Sequence, residues 1–212
     1  MIYDLIIIGG GPAGYHAATL AGKAGLETLL IEKRLVGGVC LNEGCIPSKT
    51  WLHSAKVYLE ALNGPVYGVK AEQLSFDHLK VMARKNKVVK ILTAGIKNKL
   101  QQNNVTLIEA TGEIVSRGED GIKVKASENL YIGKQLLIAS GSEPVIPTIP
   151  GMKEAIVEGY ALTSTEIFYT KKIPTSLVII GGGAIGLEMA TYFNVAGSRV
   201  TVIELQDQIG GQ

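Results

Sequence analysis

Cys40 and Cys45 are the only cysteines of this 212-residue chain, and their close spacing indicates redox chemistry. They lie in the segment GGVCLNEGCIPSK, residues 37–49, where Pro47 suits the first turn of a helix. In a regular helix, a five-residue offset would hold the two Cα atoms farther apart than the roughly 4.4–6.8 Å that a disulfide tolerates. We therefore expect a distortion at Gly44. A strained, accessible disulfide is easily reduced, which suits a catalytic pair.

Two other uses of the cysteine pair stay open. A structural disulfide is disfavoured because the sequence shows no secretory signal, and structural disulfides are rare in the cytosol. A zinc site needs four ligands, and only His53 lies near enough in sequence to be a third. We accordingly predict no metal site.

A repeated motif, called here the first and second fingerprint, indicates dinucleotide binding. Each copy is an apolar strand, a Gly-x-Gly-x-x-Gly turn, a helix, and a second strand ending in an acid 18 residues after the last glycine. The glycines permit a tight turn, backbone approach to a pyrophosphate and close helix packing, while the acid accepts hydrogen bonds from a ribose. The alternative is that the glycines only form tight turns in an α/β domain. The members are Gly9, Gly11, Gly14 and Glu32, then Gly181, Gly183, Gly186 and Glu204.

Composition agrees with a soluble, cytoplasmic α/β protein. Hydrophobic residues make up 46% of the chain, enough for one sizeable core or two smaller ones. The 21 basic and 19 acidic residues nearly balance, so neither nucleic acid nor a membrane is indicated as a partner. The apolar run at residues 5–8 is too short for a signal peptide or a membrane span.

Hydrophobic periodicity predicts strands that alternate with helices, followed by a group of short strands. In the third predicted helix the basic residues, Lys85 among them, are expected to form a solvated face. The proline-rich stretch 144–150 indicates a connection between domains. The expected helices are 12–24, 46–62 and 76–102, and the expected strands are 2–8, 27–32, 105–108, 112–115, 122–125, 129–132, 135–138, 177–180 and 200–203.

The redox segment resembles that of the flavin disulfide reductases, class I members of the pyridine nucleotide-disulfide oxidoreductases. Residues 40–49, CLNEGCIPSK, are similar almost position for position to the dihydrolipoamide dehydrogenase subfamily. Leu41 and Ile46 favour that subfamily, since glutathione and mercuric reductases prefer valines around the asparagine and after the second cysteine. The resemblance implies two doubly wound dinucleotide-binding, Rossmann-like units, both incomplete, with a small antiparallel β insertion in the first.

The resemblance also implies an FAD site in the first part of the chain. Cys40 would exchange with a dithiol substrate, and Cys45 would face the isoalloxazine and pass electrons to it. A helix N-terminus at Cys45 would stabilise the thiolate that this role needs. The implied FAD-binding residues are Gly9, Gly11, Pro12, Ala13, Gly14, Glu32, Lys33, Gly38, Val39, Cys40, Cys45, Lys49, Gly112, Ser140, Gly141 and Ser142.

A second cofactor, NAD, is implied for the second fingerprint. An acid there suits a free ribose 2′-hydroxyl, whereas NADP calls for a basic partner. Lys49 would lie near the flavin N5 and pair with Glu188, because a partly buried lysine is costly without a partner. The implied NAD-binding residues are Gly181, Gly183, Ile185, Gly186 and Glu204.

In the family, a C-terminal domain supplies an acid–base His-x-x-x-x-Glu pair and the dimer interface. None of His16, His53 and His78 is followed five residues later by a glutamate. We therefore expect an N-terminal fragment, inactive alone, of a homodimeric parent. The expected domains are an FAD-binding domain over residues 1–147 and the truncated start of an NAD-binding domain over 148–212.

For the parent, the resemblance implies oxidation of a protein-bound dihydrolipoyl group, with electrons passing through the cysteine pair and FAD to NAD. The partner would be a lipoyl-bearing protein of a 2-oxo acid dehydrogenase or glycine cleavage complex. Two alternatives remain. One is another disulfide or mercuric reductase of the same family, and the other is a nucleotide-binding module without turnover.

Overall fold

The computed structural model describes residues 2–210, which divide into two compact units. The first compact unit contains the described residues up to 42 together with 89–143, and the second contains 43–88 together with 144–210. Both units combine strands with helices, which confirms the predicted α/β class. The assignment of FAD to 1–147 and of NAD to 148–212 stays a prediction.

Six strands form one sheet in the first compact unit. In chain order they are β1 (Ile2–Ile8), β2 (Thr28–Glu32), β3 (Thr106–Glu109), β4 (Gly112–Gly118), β5 (Gly121–Ala126) and β6 (Asn129–Ile138). Their order in the sheet is β3-β2-β1-β6-β5-β4. The pairs from β3 to β6 are parallel and the pairs from β6 to β4 are antiparallel, so the expected antiparallel insertion is confirmed.

The parallel strands bury side chains on both faces of this sheet. Ile6 and Leu29 belong to the core on one face, whereas Ile7 and Leu30 belong to the core on the other, which includes the helix α1 (Pro12–Lys23). All four side chains are fully buried. Burial on both faces explains why these strands are apolar without alternation.

One predicted break in the sheet is absent. The sequence predicted separate strands at 129–132 and 135–138, but a single strand, β6, spans both. Gly133 lies between the two predicted segments, and in the sheet it pairs with β1 on one side and with β5 on the other. A Cβ atom at Gly133 would lie 2.7 Å from Cγ1 of Ile6, so the missing side chain is what allows this close approach.

The second compact unit contains two strands and the helices around its core. The elements are α3 (Cys45–Leu62), α5 (Met152–Val157), β7 (Ser176–Ile180), α6 (Ala184–Val195) and β8 (Arg199–Ile203). Strands β7 and β8 are parallel neighbours in the sheet, and α6 connects them along the chain, as the second fingerprint predicts. Trp51, Phe168, Tyr192 and Phe193 are the largest buried side chains of the core.

The predicted amphipathic helix forms α4 (His78–Gln102), whose residues 78–88 belong to the second compact unit. The expected solvated face is wrong for Lys85, which is only 3% exposed, while the apolar Leu79 is 61% exposed. Val81 and Lys85 lie four residues apart, so both side chains point to the same side of the helix. The lysine is accommodated there because its Nζ donates a hydrogen bond to the Phe168 carbonyl at 3.1 Å.

Two short helices were not expected from the sequence: α5 and α2 (Gly38–Glu43), which contains Cys40. Residues 144–149 form no regular element. Among residues 2–210, no helix combines the length and apolarity that crossing a bilayer requires.

Candidate cofactor and cysteine site

The first fingerprint makes a sharp turn between β1 and α1. Gly9 has a φ of +105°, which side chains rarely permit. A Cβ atom on Gly14 would lie 1.7 Å from the Gly9 carbonyl oxygen, so the third glycine is required by close packing. The N-cap of α1 is Gly11, which has no side chain to occupy the first-turn N–H groups. These groups are therefore open to a phosphate.

Glu32 ends β2 beside this turn. Its Oε2 accepts a hydrogen bond from Gly10 N at 2.6 Å, and its Oε1 accepts one from Arg34 N at 2.8 Å. A carboxylate offers about four lone-pair sites, so these bonds leave capacity for ribose hydroxyls. The position of Glu32 at the carboxyl end of a parallel strand is where doubly wound sheets bind ligands.

The segment that leads to Cys40 lies against the fingerprint backbone. Gly37 N donates a hydrogen bond to the Gly10 carbonyl at 2.8 Å. Gly38 has a φ of +60°, and a Cβ atom there would lie 2.6 Å from the Cα of Gly11. Two backbones thus approach each other without intervening side chains.

Several other residues implied for FAD also belong to the first compact unit. Ser140, Gly141 and Ser142 directly follow β6, and Ala139 N donates a hydrogen bond to the Ile8 carbonyl at 2.8 Å. Gly112 begins β4, next to a surface cavity of about 390 Å³. Pro12 and Ala13 open α1, Val39 is half exposed in α2, and Lys33 forms an ion pair with Glu143 at 3.7 Å. The cavity is lined by Glu109, Ala110, Thr111, Glu113, Lys125 and Ser127.

These features fit a dinucleotide. The chain offers a glycine-rich turn, an uncapped helix N-terminus and an acid at adjacent carboxyl ends of parallel strands. A side chain at Gly14 or Gly38 would collide with neighbouring backbone atoms. The first compact unit therefore has the shape and donor groups that an ADP moiety needs.

The two cysteines lie on consecutive helices. Cys40 is half-buried in α2, and Cys45 is the exposed first residue of α3. Gly44 is the N-cap between them, so the predicted distortion at this residue is confirmed. Neither cysteine of the described chain forms a disulfide, and whether their sulfur atoms come within bonding range stays a prediction. Residues 2–210 contain no cluster of His, Cys, Asp and Glu that could hold a metal ion.

One long-range contact predicted from the family resemblance is confirmed. Lys49, one turn into α3, forms an ion pair with Glu188, early in α6. The two side chains are 63% and 28% exposed, respectively. The pair links the helix that begins at Cys45 to the helix of the second fingerprint.

The second fingerprint repeats the geometry of the first. Gly181 has a φ of +107°, and a Cβ atom on Gly186 would lie 2.1 Å from the Gly181 carbonyl oxygen. Glu204 Oε2 accepts a hydrogen bond from Gly182 N at 2.6 Å, matching the bond between Glu32 and Gly10. Backbone hydrogen bonds from Gln206, Gly182 and Leu205 lower the pKa of Glu204. Gly183 is the N-cap of α6, and Ile185 follows in its first turn.

Sequence reasoning missed a buried polar group in the second compact unit. His78 Nε2 lies 2.7 Å from the Thr170 carbonyl, which can only accept, so Nε2 carries the hydrogen. In the neutral ring, Nδ1 then accepts from the Tyr192 hydroxyl at 2.6 Å. Trp51 stacks on Tyr192 with ring centroids 4.4 Å apart. His78, Val81 and Lys85 share one face of α4, and that spacing is the signal that could have identified the buried side.

The chain is similar in sequence to known flavoprotein oxidoreductases over nearly its whole length. A family model described as pyridine nucleotide-disulphide oxidoreductase matches residues 3–212. Dihydrolipoyl dehydrogenase of Acholeplasma laidlawii is 46% identical over 208 residues, which is 98% of this chain and 61% of that protein. The mitochondrial dihydrolipoyl dehydrogenase of Pisum sativum is 42% identical over 209 residues, covering 97% of this chain and 41% of that protein.

A solved structure has the same fold. The copper(II) complex of the HOCl-induced flavoprotein disulfide reductase RclA from Escherichia coli superposes with a TM-score of 0.80 at 30% identity. The match covers 97% of this chain and 42% of that protein. The chain thus spans between about two fifths and three fifths of the length of these three proteins.

Proposed function

Because the chain belongs to the pyridine nucleotide-disulphide oxidoreductase family, we propose that it carries the flavin-binding and disulfide-exchanging part of a dihydrolipoamide dehydrogenase. Family members and dihydrolipoyl dehydrogenases use FAD and NAD(H). The reaction proposed is oxidation of a protein-bound dihydrolipoyl group to its cyclic disulfide. The proposed partner is therefore a lipoyl-bearing protein of a 2-oxo acid dehydrogenase or glycine cleavage complex.

The first fingerprint is proposed to hold the ADP half of FAD, within a domain that we place at residues 1–147. The N-terminus of α1 would receive the pyrophosphate, because its first-turn N–H groups point outward and its dipole favours anions. Glu32 would accept the ribose hydroxyls. Gly112 and the turn at residues 140–142 would border the rest of the nucleotide.

The cysteine pair is proposed to cycle between a disulfide and two thiols. A substrate thiolate attacks the Cys40 sulfur of the disulfide, and Cys45 leaves as a thiolate. The second substrate thiolate then displaces Cys40 and closes the substrate disulfide. Two electrons pass from substrate to protein, and the two substrate protons end on the cysteines or in solvent. Bound FAD supplies the acceptor that restores the protein disulfide, with NAD as final acceptor.

Lys49 is proposed to hold a positive charge near the cysteine pair. The Glu188 carboxylate accepts a hydrogen bond from Lys49 Nζ and so fixes the direction of the lysine side chain. Glu204 directly follows β8, in a part that we propose to bind NAD at residues 148–212. Its carboxylate would accept a hydrogen bond from the ribose 2′-hydroxyl, as Glu32 would in the first fingerprint.

The observation that carries this proposal is the position of Cys45, exposed at the first residue of α3 and one turn before the ion-paired Lys49. Thiol–disulfide exchange needs a sulfur atom that its partner can reach, and the exposed Cys45 meets that need. The test uses protein containing this chain, reconstituted with FAD. NAD reduction should occur with dihydrolipoamide and be abolished by Cys40→Ser, while the visible flavin absorbance is retained. Turnover by the Cys40→Ser variant at the parental rate would overturn the proposal.

A second candidate within the family is a reductase for another disulfide or for mercuric ion. The likeness to RclA, named a disulfide reductase, keeps this candidate open. Assays in the reductive direction with lipoamide, oxidised glutathione and mercuric ion separate the two. Preference for lipoamide supports the first proposal, and preference for either other substrate supports the second.

A further inference from the structure

The side chain of Asn42 ties the helix that carries Cys40 to the segment that precedes it. Its Nδ2 donates hydrogen bonds to the carbonyls of Gly38 at 2.9 Å, Val36 at 3.3 Å and Leu35 at 3.4 Å. Because the amide has two hydrogens for three acceptors, at least one of these bonds is shared between two carbonyls. This amide and its three carbonyls are called here the Asn42 clamp.

The orientation of the Asn42 amide follows from its neighbours. Carbonyl oxygens can only accept hydrogen bonds, so the amide nitrogen must face them. On its other side, Oδ1 accepts a hydrogen bond from the Thr93 hydroxyl of α4 at 3.5 Å, the longest of these contacts. A flipped amide would set its oxygen against the carbonyl oxygens, where no donor is available. The donor group of Asn42 therefore holds the clamp together.

The segment that receives these bonds is itself anchored in the first compact unit. Val36 is only 1% exposed and belongs to the core that includes α1. Gly37 N donates a hydrogen bond to the Gly10 carbonyl, and the backbone of Gly38 lies against the fingerprint turn. Asn42 thus binds a stretch of backbone that packing and hydrogen bonds already hold in place.

Helix α2 depends on such support. It has six residues, and a helix of that length is unstable without tertiary contacts. Among its apolar side chains Leu41 is buried, whereas Val39 is 50% exposed. Cys40 lies midway between Gly38 and Asn42, the two helix residues that the clamp joins. The position of the half-buried Cys40 therefore depends on the clamp more directly than on packing.

We propose that Asn42 is a positioning residue for Cys40: its amide donors fix α2 on the anchored segment and so fix the place of the Cys40 sulfur. This inference rests on the proposed function, because a fixed sulfur matters only if a substrate thiolate must attack it. Such an attack is fastest when the reacting atoms are held in the productive geometry. The role of Asn42 is indirect, and it needs no contact with substrate or cofactor.

The test measures how fast iodoacetamide alkylates Cys40 in the 212-residue chain, in a Cys45→Ser background where Cys40 is the only thiol. Asn42→Leu keeps the approximate size of the side chain and removes its donors. Release of α2 should then expose the sulfur and raise the rate about 3- to 10-fold. Leucine is the better helix former, so an effect through helix propensity alone would lower the rate instead.

Asn103→Leu is the matched control. Asn103 Nδ2 also donates to the carbonyl four residues earlier, that of Lys99 at 2.7 Å, which is the spacing between Asn42 and Gly38. This bond lies at the end of α4 in the same compact unit and is not part of the clamp. Its loss should leave the Cys40 rate within about 1.5-fold of the parent, because the two sites are independent. A rate raised as much as in Asn42→Leu would overturn the inference.

Low concentrations of urea separate release of α2 from general loosening. Local opening exposes little surface, so a rate that depends on it changes little with urea, whereas global unfolding depends steeply on urea. Below the unfolding transition, Asn42→Leu should therefore exceed the parent by a constant factor. A rate that is unchanged without urea, or that rises only as urea is added, would show a merely structural role and overturn the inference.

Two more variants complete the test. Asn42→Ala covers the case in which Asn42→Leu does not fold, since it removes the donors without adding bulk, and its rate should also rise. Asn42→Gln keeps the donors on a side chain one carbon longer, so its rate should be lower than that of Asn42→Ala. An unchanged rate in Asn42→Ala, or an equal rate in Asn42→Gln and Asn42→Ala, would contradict the inference.

The alkylation of Cys40 is independent of the proposed reaction, because it needs neither flavin nor a dithiol. The expected rates without any oxidation of dihydrolipoamide would refute the proposed function alone. Oxidation of dihydrolipoamide by the parent, together with alkylation rates that ignore Asn42, would refute this inference alone.

Discussion

Lys49 of α3 and Glu188 of α6 form an ion pair although 139 positions separate them in the sequence. The contact joins the helix that begins with Cys45 to the helix of the second fingerprint. Both helices lie in the second compact unit. The pair is therefore a direct structural link between the redox segment and the element proposed to receive NAD.

The energetic value of this link can be measured with a double-mutant cycle. We expect Lys49→Gln and Glu188→Gln to be coupled by about 0.2–1 kcal/mol, because the lysine is mostly exposed and water screens the pair. The coupling should fall as salt is raised. Urea unfolding of the parent, both single variants and the double variant measures it. Additive effects at low salt would show that the contact contributes nothing to stability.

The two fingerprint acids should act on different cofactors. Glu32→Ala should weaken FAD binding about 10-fold or more, since it removes a charged acceptor and leaves Gly10 N without its partner. Glu204→Ala is the matched variant and should weaken NAD binding without affecting FAD. Equilibrium titration with each cofactor, followed by fluorescence, separates the two effects. Equal loss of FAD affinity in both variants would contradict the division of roles.

The His78–Tyr192 bond should contribute measurably to stability. Tyr192→Phe leaves the buried Nδ1 of His78 without a donor, which should lower the free energy of unfolding by about 1–3 kcal/mol. Tyr67→Phe is the control, because Tyr67 is 81% exposed and its loss should cost less than about 0.5 kcal/mol. Urea denaturation of both variants checks this. If Tyr192→Phe and Tyr67→Phe had the same free energy of unfolding, the buried hydrogen bond would make no net contribution to stability.

Stability should depend on pH through Asp4, which joins β1 to neighbouring elements. Hydrogen bonds from Lys134 Nζ at 2.7 Å and Glu27 N at 2.9 Å lower its pKa below the ordinary 3.8. A carboxyl with a lowered folded-state pKa stabilises the fold above its unfolded pKa, and that contribution is lost as pH falls through the folded pKa.

Asp4→Asn should therefore be less stable than the parent at neutral pH and should lose less stability on acidification below about pH 5. Urea midpoints at neutral and acidic pH measure this difference. Asp120→Asn, in the exposed turn between β4 and β5, is the control and should behave as the parent does. An Asp4→Asn curve parallel to that of the parent over the whole range would contradict the assignment.

The sequence predicted the local elements well because each fingerprint contains its own signals. Strand, glycine turn and acid are close in sequence, so β1, α1 and β2 required no knowledge of distant residues. The match over residues 3–212 confirms the family resemblance inferred from the redox segment. That resemblance, rather than periodicity, also supplied the long-range contact between Lys49 and Glu188.

The errors came from side chains whose environment is set by distant parts of the chain. The sequence places Lys85 on a solvated face, whereas in the fold its Nζ donates a hydrogen bond to the Phe168 carbonyl and lies 5.1 Å from the centre of the Tyr169 ring. The sequence predicts two separate strands, one on each side of Gly133. In the sheet, it is the residue that lets β6 pass close to Ile6. Local spacing can indicate the buried side of α4, but it does not identify these distant neighbours.

The most direct test of the proposed function is the oxidation state of the cysteine pair after exposure to lipoyl substrates. Cys40 and Cys45 both lie in the tryptic peptide 35–49, so mass spectrometry reads the pair in one fragment. Protein treated with oxidised lipoamide should yield this peptide lighter by two hydrogen atoms, and dihydrolipoamide should restore them. A peptide that keeps both thiols with lipoamide, while a strong thiol oxidant still joins them, would contradict the claim that this pair exchanges with a lipoyl group.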